Sequence, residues 1–321
     1  MTYRLVSVCM VLLCAGCGGA TQGNGGGSDA AYSGGTIADG EAMVERGDFA
    51  GARALFEKRV ATSPDDPKAH YYLALSKKQL GDVEGAVSHY EKAIALDDTL
   101  MDAHINLGLL FLDMENLDRA EAELKRYLDA SPEAADAHFN YGLVQEAMGN
   151  LDQAEAHYRK AASLDPEDPS PLFGLGDVAR RRGDNKTAVD YYEKARSLDP
   201  EMAELVFVEG QTLLEMNETK RACGLFESLL DMSSPNLVVV SEAGKTIAKK
   251  DKACAVKLYR GALDKDGEFA AAHFYLANLL ARDKQFEEAA HHFEKFIALA
   301  PDDPAVEDAR RRLDVCKSQM K

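Results

Sequence analysis

Small and large apolar residues recur along most of this chain at a fixed interval of 34 residues, with one interval of 33. An alanine marks each unit, a large apolar or aromatic residue follows it by four positions, and a small residue precedes it by twelve. Residues four apart share one face of an α-helix, so the pattern predicts an amphipathic helix in each unit. The small residue predicts close contact with a preceding helix, because a larger side chain there would clash. The alanines are Ala52, Ala86, Ala120, Ala154, Ala188, Ala222, Ala255 and Ala289; the large residues are Phe56, Tyr90, Leu124, Tyr158, Tyr192, Phe226, Tyr259 and Phe293; the small residues are Gly40, Ala74, Gly108, Gly142, Gly176, Gly210, Ala243 and Ala277.

Proline closes five of the eight units, where it ends one helix before the next begins. A helix-turn-helix unit of 34 residues with these small, aromatic and proline positions resembles the tetratricopeptide repeat. The resemblance implies an all-α fold, a right-handed superhelical solenoid of about eight repeats. The repeats are expected over residues 36–303, followed by a capping helix over residues 304–321. The prolines are Pro64, Pro132, Pro166, Pro200 and Pro301.

Two of the eight units depart from the repeat pattern. The first has Thr36 and Asp39 where the family prefers bulky apolar residues, so its leading helix is expected to fray. The seventh has Thr246 and Lys250 at positions that are usually apolar and glycine. The run 237–240 in that unit has the character of a strand, but the register of eight units favours a helix. The capping helix is predicted from an apolar stripe at Val306, Ala309, Leu313, Cys316 and Met320.

The N-terminus has the features of an export signal. One basic residue, Arg4, precedes an apolar stretch over residues 5–13 that is too short to span a membrane. Residues 13–17 resemble the bacterial lipobox, so residues 1–16 are predicted to be a lipoprotein signal peptide and Cys17 the lipidated residue. Cys14 stands where the family normally has leucine, which leaves an ordinary cleaved signal as the alternative.

Residues 17–35 are predicted to be a flexible tether, because residues 18–35 hold eight of the 25 glycines and almost no large side chain. In the lipoprotein families that this segment resembles, an aspartate after the lipidated cysteine retains the protein in the inner membrane. Here Gly18 follows. The resemblance therefore implies lipid anchoring in the outer membrane, with the chain facing the periplasm.

The fifth residue of each first helix is apolar or aromatic in all eight units, and in this family that face lines the concave groove. One interpretation is that these side chains only pack between neighbouring first helices. A second apolar row at 34-residue spacing, where many repeats have polar residues, favours a groove that binds an apolar peptide or helix. The predicted groove comprises Tyr71, Leu75, Ile105, Leu109, Leu112, Phe139, Leu143 and Phe173.

Charge and motifs narrow the classes of function. With 37 Lys and Arg against 54 Asp and Glu, the net charge of −17 argues against nucleic acid, which requires a basic surface. No apolar run reaches the roughly 18 residues of a membrane span, so membrane contact is expected through the lipid anchor alone. No motif of a metalloprotease, nucleotide-binding enzyme or serine hydrolase occurs, so we expect no catalytic site and no cofactor.

Four histidines occupy the fourth position of their repeats. Equivalent positions in stacked repeats are about 10 Å apart, whereas zinc holds each ligand nitrogen at about 2.0–2.1 Å. We therefore expect packing and no metal site. The neighbours His291 and His292 point in different directions on a helix and form no paired site. The four are His70, His104, His138 and His273.

Three cysteines follow Cys17. Cys223 and Cys254 lie early in the second helices of adjacent repeats, where a disulfide and two free buried thiols are the alternatives. Free thiols are favoured, because adjacent second helices are expected to hold the α-carbons beyond the roughly 7 Å limit of a disulfide. Cys316 lies on the apolar stripe and is predicted to be buried.

These features favour a non-enzymatic lipoprotein scaffold that binds periplasmic proteins and helps to assemble or localise an envelope complex. In architecture it resembles the pilotin lipoproteins that escort the secretin of type IV pili. It equally resembles repeat lipoproteins that dock peptidoglycan hydrolases or proteases. Two other classes stay open: an enzyme or small-ligand binder on a repeat scaffold, and a homo-oligomeric lattice.

Overall fold

The computed structural model describes residues 35–320. The predicted signal peptide, Cys17 and nearly all of the predicted tether lie outside the described residues. The chain forms two compact units, the first ending at Leu164 and the second beginning at Asp165. Each unit holds four of the predicted repeats, and the second also holds the C-terminal helix.

Every repeat is a pair of consecutive helices. The first unit contains α1 Ile37–Glu45, α2 Phe49–Thr62, α3 Pro67–Gln79, α4 Val83–Leu96, α5 Met101–Asp113, α6 Leu117–Ala130, α7 Ala135–Ala147 and α8 Leu151–Leu164. The second unit contains α9 Ser170–Arg181, α10 Asn185–Leu198, α11 Ala203–Glu215, α12 Thr219–Ser228, α13 Leu237–Ile247, α14 Lys252–Lys265, α15 Ala270–Arg282, α16 Phe286–Leu299 and α17 Val306–Gln319.

The all-α prediction is confirmed, since residues 35–320 contain helices and no strand. Within each unit consecutive helices pack against one another, as a repeat solenoid requires. The apolar run at the start of the seventh repeat forms the first turns of α13. The capping helix is confirmed as α17, which buries Val306, Ala309, Leu313 and Cys316. Met320, expected on the same stripe, is exposed because the helix ends at Gln319.

The first helix of the first repeat is held at its N-terminus by the residues that predicted fraying. Thr36 accepts a hydrogen bond from the backbone N–H of Asp39 (3.2 Å), and the Asp39 carboxylate accepts one from the backbone N–H of Thr36 (2.7 Å). This reciprocal capping box satisfies two backbone donors that a helix start leaves unpaired. The expectation of fraying is therefore corrected, although α1 has nine residues and the other first helices have 11 to 13.

The predicted close contact between the two helices of a repeat is confirmed. A Cβ atom at Gly210 would lie 2.2 Å from Cε1 of Phe226, and one at Gly142 would lie 2.7 Å from Cε1 of Tyr158. Both aromatic side chains are fully buried. The small residue on the first helix thus makes room for the ring on the second helix, and this contact fixes the distance between the two.

One residue of the seventh repeat that departs from the repeat pattern, Lys250, binds the sixth repeat. Four turns between paired helices use a glycine with positive φ, such as Gly183 at 83°, whereas the seventh repeat has Lys250 at this place. The Lys250 ammonium donates hydrogen bonds to the carbonyl of Leu214 and to Oδ1 of Asn217 (3.0 Å) in the preceding repeat. The sixth repeat is one residue shorter than the others. Its second helix, α12, has ten residues, whereas the other second helices have 14.

Two glycine-to-alanine substitutions in the sixth repeat test the close contact. Gly210 and Gly224 both lie within helices and gain the same helix propensity from alanine, but a Cβ at Gly224 would meet nothing within 4 Å. We expect Gly210→Ala to be less stable than Gly224→Ala by about 1–3 kcal/mol, the usual cost of overpacking. Denaturant unfolding measures the difference, and equal stability of the two variants would contradict the role given to this contact.

Candidate protein-binding site

Three first helices of the first unit, α3, α5 and α7, present the apolar residues predicted to line a groove. The hydroxyl of Tyr71 on α3 is a polar group on this face. It accepts a hydrogen bond of 3.3 Å from Nδ2 of Asn106 on α5, which also donates to the carbonyl of Asp102 (2.9 Å). Burial, with the nearby Asp102 carboxylate, raises the pKa of Tyr71 to about 12. Tyr71 therefore stays neutral and joins two consecutive first helices.

The predicted residues of the first unit differ in exposure. Leu75 and Phe139 are buried, at 7% and 8% exposure. The other members are intermediate in burial, so part of each apolar side chain remains in contact with solvent. We call these five residues the apolar face: Tyr71, Ile105, Leu109, Leu112 and Leu143.

The fifth-position aromatic residues also have a packing role. The ring of Tyr71 lies 5.9 Å from that of Tyr90, and the ring of Phe139 lies 5.7 Å from that of Tyr158, measured between centroids. Each pair lies within one repeat, between its first and second helix. Packing therefore accounts for much of the fifth position, and Leu109, Leu112 and Leu143, further along the helices, are the other partly exposed members of the apolar face.

In the second unit, Phe173 is partly covered and packs against Tyr192 at 5.7 Å between centroids. Its surroundings are polar. The Tyr192 hydroxyl donates to Asp177 (2.7 Å) and accepts from Nε of Arg180 (3.3 Å), and Arg180 also pairs with Asp177 at 3.1 Å. Burial and the Asp177 carboxylate raise the pKa of Tyr192 far above its usual value. These three polar residues of the fifth repeat thus form a connected network.

The sixth repeat carries a buried charge at a position that is leucine in other repeats. Glu209 is 1% exposed, whereas the equivalent residues Leu73 and Leu107 belong to the apolar core. Nε and Nη2 of Arg196 on α10 bind the two carboxylate oxygens of Glu209 at 2.8 and 3.3 Å. Burial outweighs this pairing and raises the pKa of Glu209. Such a buried pair is costly to break, because one partner alone would be an uncompensated charge.

Each fourth-position histidine contacts a partner within its own repeat, which comparison of equivalent positions between repeats does not reveal. His70, His138 and His273 each contact a second histidine on the following helix, and His104 contacts Glu123 at 2.6 Å. In each case the partner lies 19 residues further along the sequence. That spacing is the signal that reveals these pairs, because it joins the fourth and twenty-third positions of one repeat.

Cys223 and Cys254 form a disulfide that joins α12 to α14, with the α-carbons 6.0 Å apart. The expectation of two free thiols is therefore wrong, because the α-carbons of these two cysteines lie within the 7 Å limit. Cys316 is free and buried, as predicted. Glu227 lies beside the disulfide, and these three residues are the one metal-ligand cluster among residues 35–320. A disulfide sulfur is no thiolate, so the oxidised cluster offers a metal only one charged ligand.

The match to family models decides the classification. Models described as tetratricopeptide repeat match residues 35–58, 105–169, 173–236 and 270–303, and a model described as TPR repeat matches residues 76–115. The chain belongs to the tetratricopeptide repeat family. Comparison with curated proteins gives no match. No helix among the described residues is long and apolar enough to cross a membrane.

Solved tetratricopeptide repeat structures are similar to this chain. Yeast Tom70 is 21% identical over 87% of this chain, which spans 61% of the Tom70 chain, with a TM-score of 0.61. MamA from Desulfovibrio magneticus RS-1 is 24% identical over 51% of this chain and 93% of its own, with a TM-score of 0.48. The likeness to Tom70 shows the fold alone.

Loss of the disulfide is expected to loosen the sixth and seventh repeats. The bond closes a loop between residues 31 apart, for which chain entropy predicts a stabilisation of roughly 3–4 kcal/mol. We expect the Cys223→Ser, Cys254→Ser double variant to melt at lower temperature than the parent. Dithiothreitol should lower the melting temperature of the parent and leave that of the double variant unchanged. A parent that is insensitive to the reductant would contradict a stabilising bond.

Proposed function

We propose that this protein is a non-enzymatic scaffold, anchored by a lipid at Cys17 to the outer membrane, that binds periplasmic proteins through the apolar face of its first unit. The observation that carries the binding role is the partial exposure of Leu109 and Leu112 on α5 and of Leu143 on α7, together with the Tyr71 hydroxyl on α3. Clustered apolar side chains on a surface mark contact with another apolar surface. One polar group among them gives a bound chain a fixed position.

The chemistry of the apolar face favours an apolar peptide or an amphipathic helix as partner. Apolar residues of an extended or helical ligand would lie against these partly exposed leucine, isoleucine and tyrosine side chains and would remove the remaining apolar surface from water. Burial of apolar surface contributes about 25 cal/mol per Å². The chain has a net charge of −17, whereas proteins that bind nucleic acid usually present a basic surface. A protein ligand therefore suits this face better than a nucleic acid does.

The disulfide supports the extracytoplasmic part of the proposal. Disulfides form and persist in oxidising compartments such as the bacterial periplasm, and they are rare in the cytosol. The bond between Cys223 and Cys254 thus agrees with the export signal predicted at residues 1–16. Two concrete roles suit such a scaffold: escort of an outer-membrane secretin, as pilotins do, and docking of peptidoglycan hydrolases or proteases. Loss of secretin multimers in a deletion strain would favour the first.

Anchoring is tested by replacing each candidate cysteine. In the native host we expect Cys17→Ser to abolish incorporation of labelled palmitate and to shift the protein from the membrane fraction to the soluble fraction, because acyl chains supply the membrane affinity. The matched control is Cys14→Ser, which should keep the label. Palmitate incorporation by Cys17→Ser at the parental level would refute lipidation at this residue.

Binding is tested by two variants, each of which replaces two large apolar residues by serine. Leu109→Ser with Leu143→Ser removes side chains from the apolar face, whereas Leu80→Ser with Met114→Ser removes apolar residues exposed at the turns after α3 and α5. Partners captured from the envelope with the parent are identified by mass spectrometry, and their affinities are then measured by calorimetry. We expect the first variant to bind at least about tenfold more weakly, a loss of roughly 1.4 kcal/mol.

The turn variant should bind as the parent does, and circular dichroism should show both variants folded. If the folded Leu109→Ser, Leu143→Ser variant captures the same proteins with the same affinity, the apolar face is packing surface and the proposed binding site is wrong. Turnover of cell-wall fragments by the purified chain would instead favour the enzymatic class.

A further inference from the structure

Three repeats contain the same pair of histidines. His70 and His89 lie in the second repeat, His138 and His157 in the fourth, and His273 and His292 in the eighth. The two Nδ1 atoms are 2.9, 3.0 and 2.8 Å apart, respectively. His70 and His273 are buried, at 4% and 5% exposure. We call these three pairs the histidine clasps.

Each clasp also holds the loop that precedes its repeat. Nε2 of the first histidine lies within hydrogen-bond distance of a backbone carbonyl six residues earlier: 3.0 Å to Pro64, 3.0 Å to Pro132 and 3.1 Å to Gly267. A carbonyl only accepts hydrogen bonds, so Nε2 must carry the proton. The neutral first histidine therefore has a bare Nδ1, which accepts the N–H of the second histidine. One clasp thus connects the loop, the first helix and the second helix.

The Nδ1···Nδ1 contact of a clasp can accommodate one added proton but not two. A first proton adds to Nε2 of the second histidine, whose Nδ1–H still donates to the bare Nδ1 of the first histidine, so the contact survives. A second proton places an N–H on both Nδ1 atoms. Two donors at 2.8–3.0 Å repel one another and share no acceptor, and two positive charges then lie in a half-buried site. The contact must open.

The other repeats of the same chain supply an internal comparison. Where the fourth position is apolar, the twenty-third is apolar or aromatic, as in Val206 with Leu225 and Leu172 with Tyr191. In the third repeat His104 faces Glu123 at 2.6 Å, and its Nε2 lies 3.3 Å from the Asp98 carbonyl. Both ring nitrogens of His104 face acceptors, so an imidazolium satisfies both contacts at once. Acid therefore opens the clasps and leaves this contact closed.

We propose that the histidine clasps are acid-operated latches, which release the preceding loop and the first helix of repeats two, four and eight as the pH falls, while repeat three stays closed. The release would be felt at the first-helix face, because each clasp histidine directly precedes a fifth-position aromatic residue. These neighbours are Tyr71, Phe139 and Phe274. The latch itself does not depend on the proposed binding role.

Protonation equilibria agree with this geometry. Burial, with the charge of the partner histidine, lowers the pKa of His89, His157 and His292, the last to about 4 from 6.5; burial also lowers that of His273. A histidine with a lowered pKa in the folded state favours folding above pH 6.5, where both states are neutral. That contribution is lost as the pH falls from about 6.5 towards about 4, because the unfolded chain then binds more protons.

The surrounding charges differ between clasps. Lys77 lowers the pKa of His89, whereas Asp82 and Glu57 raise it. At the third clasp His291 and Arg260 lower the pKa of His292, Lys295 acts in the same direction on His273, and Glu288 alone opposes them. His157 is affected by burial and by His138. The third clasp, surrounded mainly by cations, is therefore expected to resist protonation to the lowest pH.

Thermal unfolding at pH 7.5 and pH 5.0 tests the latch, because ordinary carboxylates remain ionised at both values. One variant replaces all three clasps by the pair found in the sixth repeat, with valine at the fourth position and leucine at the twenty-third. We expect the melting temperature of the parent to fall between these pH values by about 5 °C more than that of this variant. The control, His104→Val with Glu123→Leu, should keep at least the parental fall. An equal fall in parent and clasp variant would overturn the proposal.

A measurement on the parent alone keeps the proposal testable if the clasp variant does not fold. Long-range proton–nitrogen NMR of the histidine-labelled protein reports which ring nitrogen carries the proton. We expect His70, His138 and His273 to carry it on Nε2 at pH 7.5. Amide hydrogen exchange in the first turns of α3, α7 and α15 should accelerate at pH 5.0 beyond the intrinsic rate change, with α5 as the reference. The opposite tautomer, or no extra exchange, would overturn the proposal.

Discussion

The contact between a small residue on the first helix and a large buried ring on the second is the constraint on which each regular repeat depends. In the fourth repeat, Tyr158 fills the space left by Gly142 and also packs against Phe139. The residue before this tyrosine, His157, faces His138. One close contact fixes the distance between the two helices and so brings the neighbouring side chains within reach of each other. The residue types then determine whether they form aromatic pairs, hydrogen-bonded pairs or ion pairs.

The sequence was sufficient to predict the fold, since one register persists through eight units and a chance pattern would not. Local departures were harder to interpret. Thr36 and Asp39 looked unfavourable as core residues, yet their side chains satisfy the start of α1. Lys250 replaces a turn residue and binds the preceding repeat. A polar residue at an apolar position makes no apolar contact, but its side chain can form a hydrogen bond with the backbone. A propensity scale does not include that hydrogen bond.

The site was less predictable than the fold. Apolar character at Tyr71, Leu109 and Leu143 was evident, but their exposure depends on how much of each side chain the next helix covers. The spacing of regular repeats does not predict the disulfide, which lies where the sixth repeat is one residue short and α12 is shortened. Comparison of equivalent positions between repeats does not reveal the histidine pairs, because both partners lie within one repeat.

The bond between Cys223 and Cys254 also turns part of the chain into a covalent ring. The irregular connection after α12 lies inside that ring, together with the whole of α13. A protease that cuts this connection would open the ring but would not divide the molecule, since the sulfur bridge still joins the two fragments. The segment where the repeat pattern is weakest is therefore the one where a break in the backbone would do the least harm.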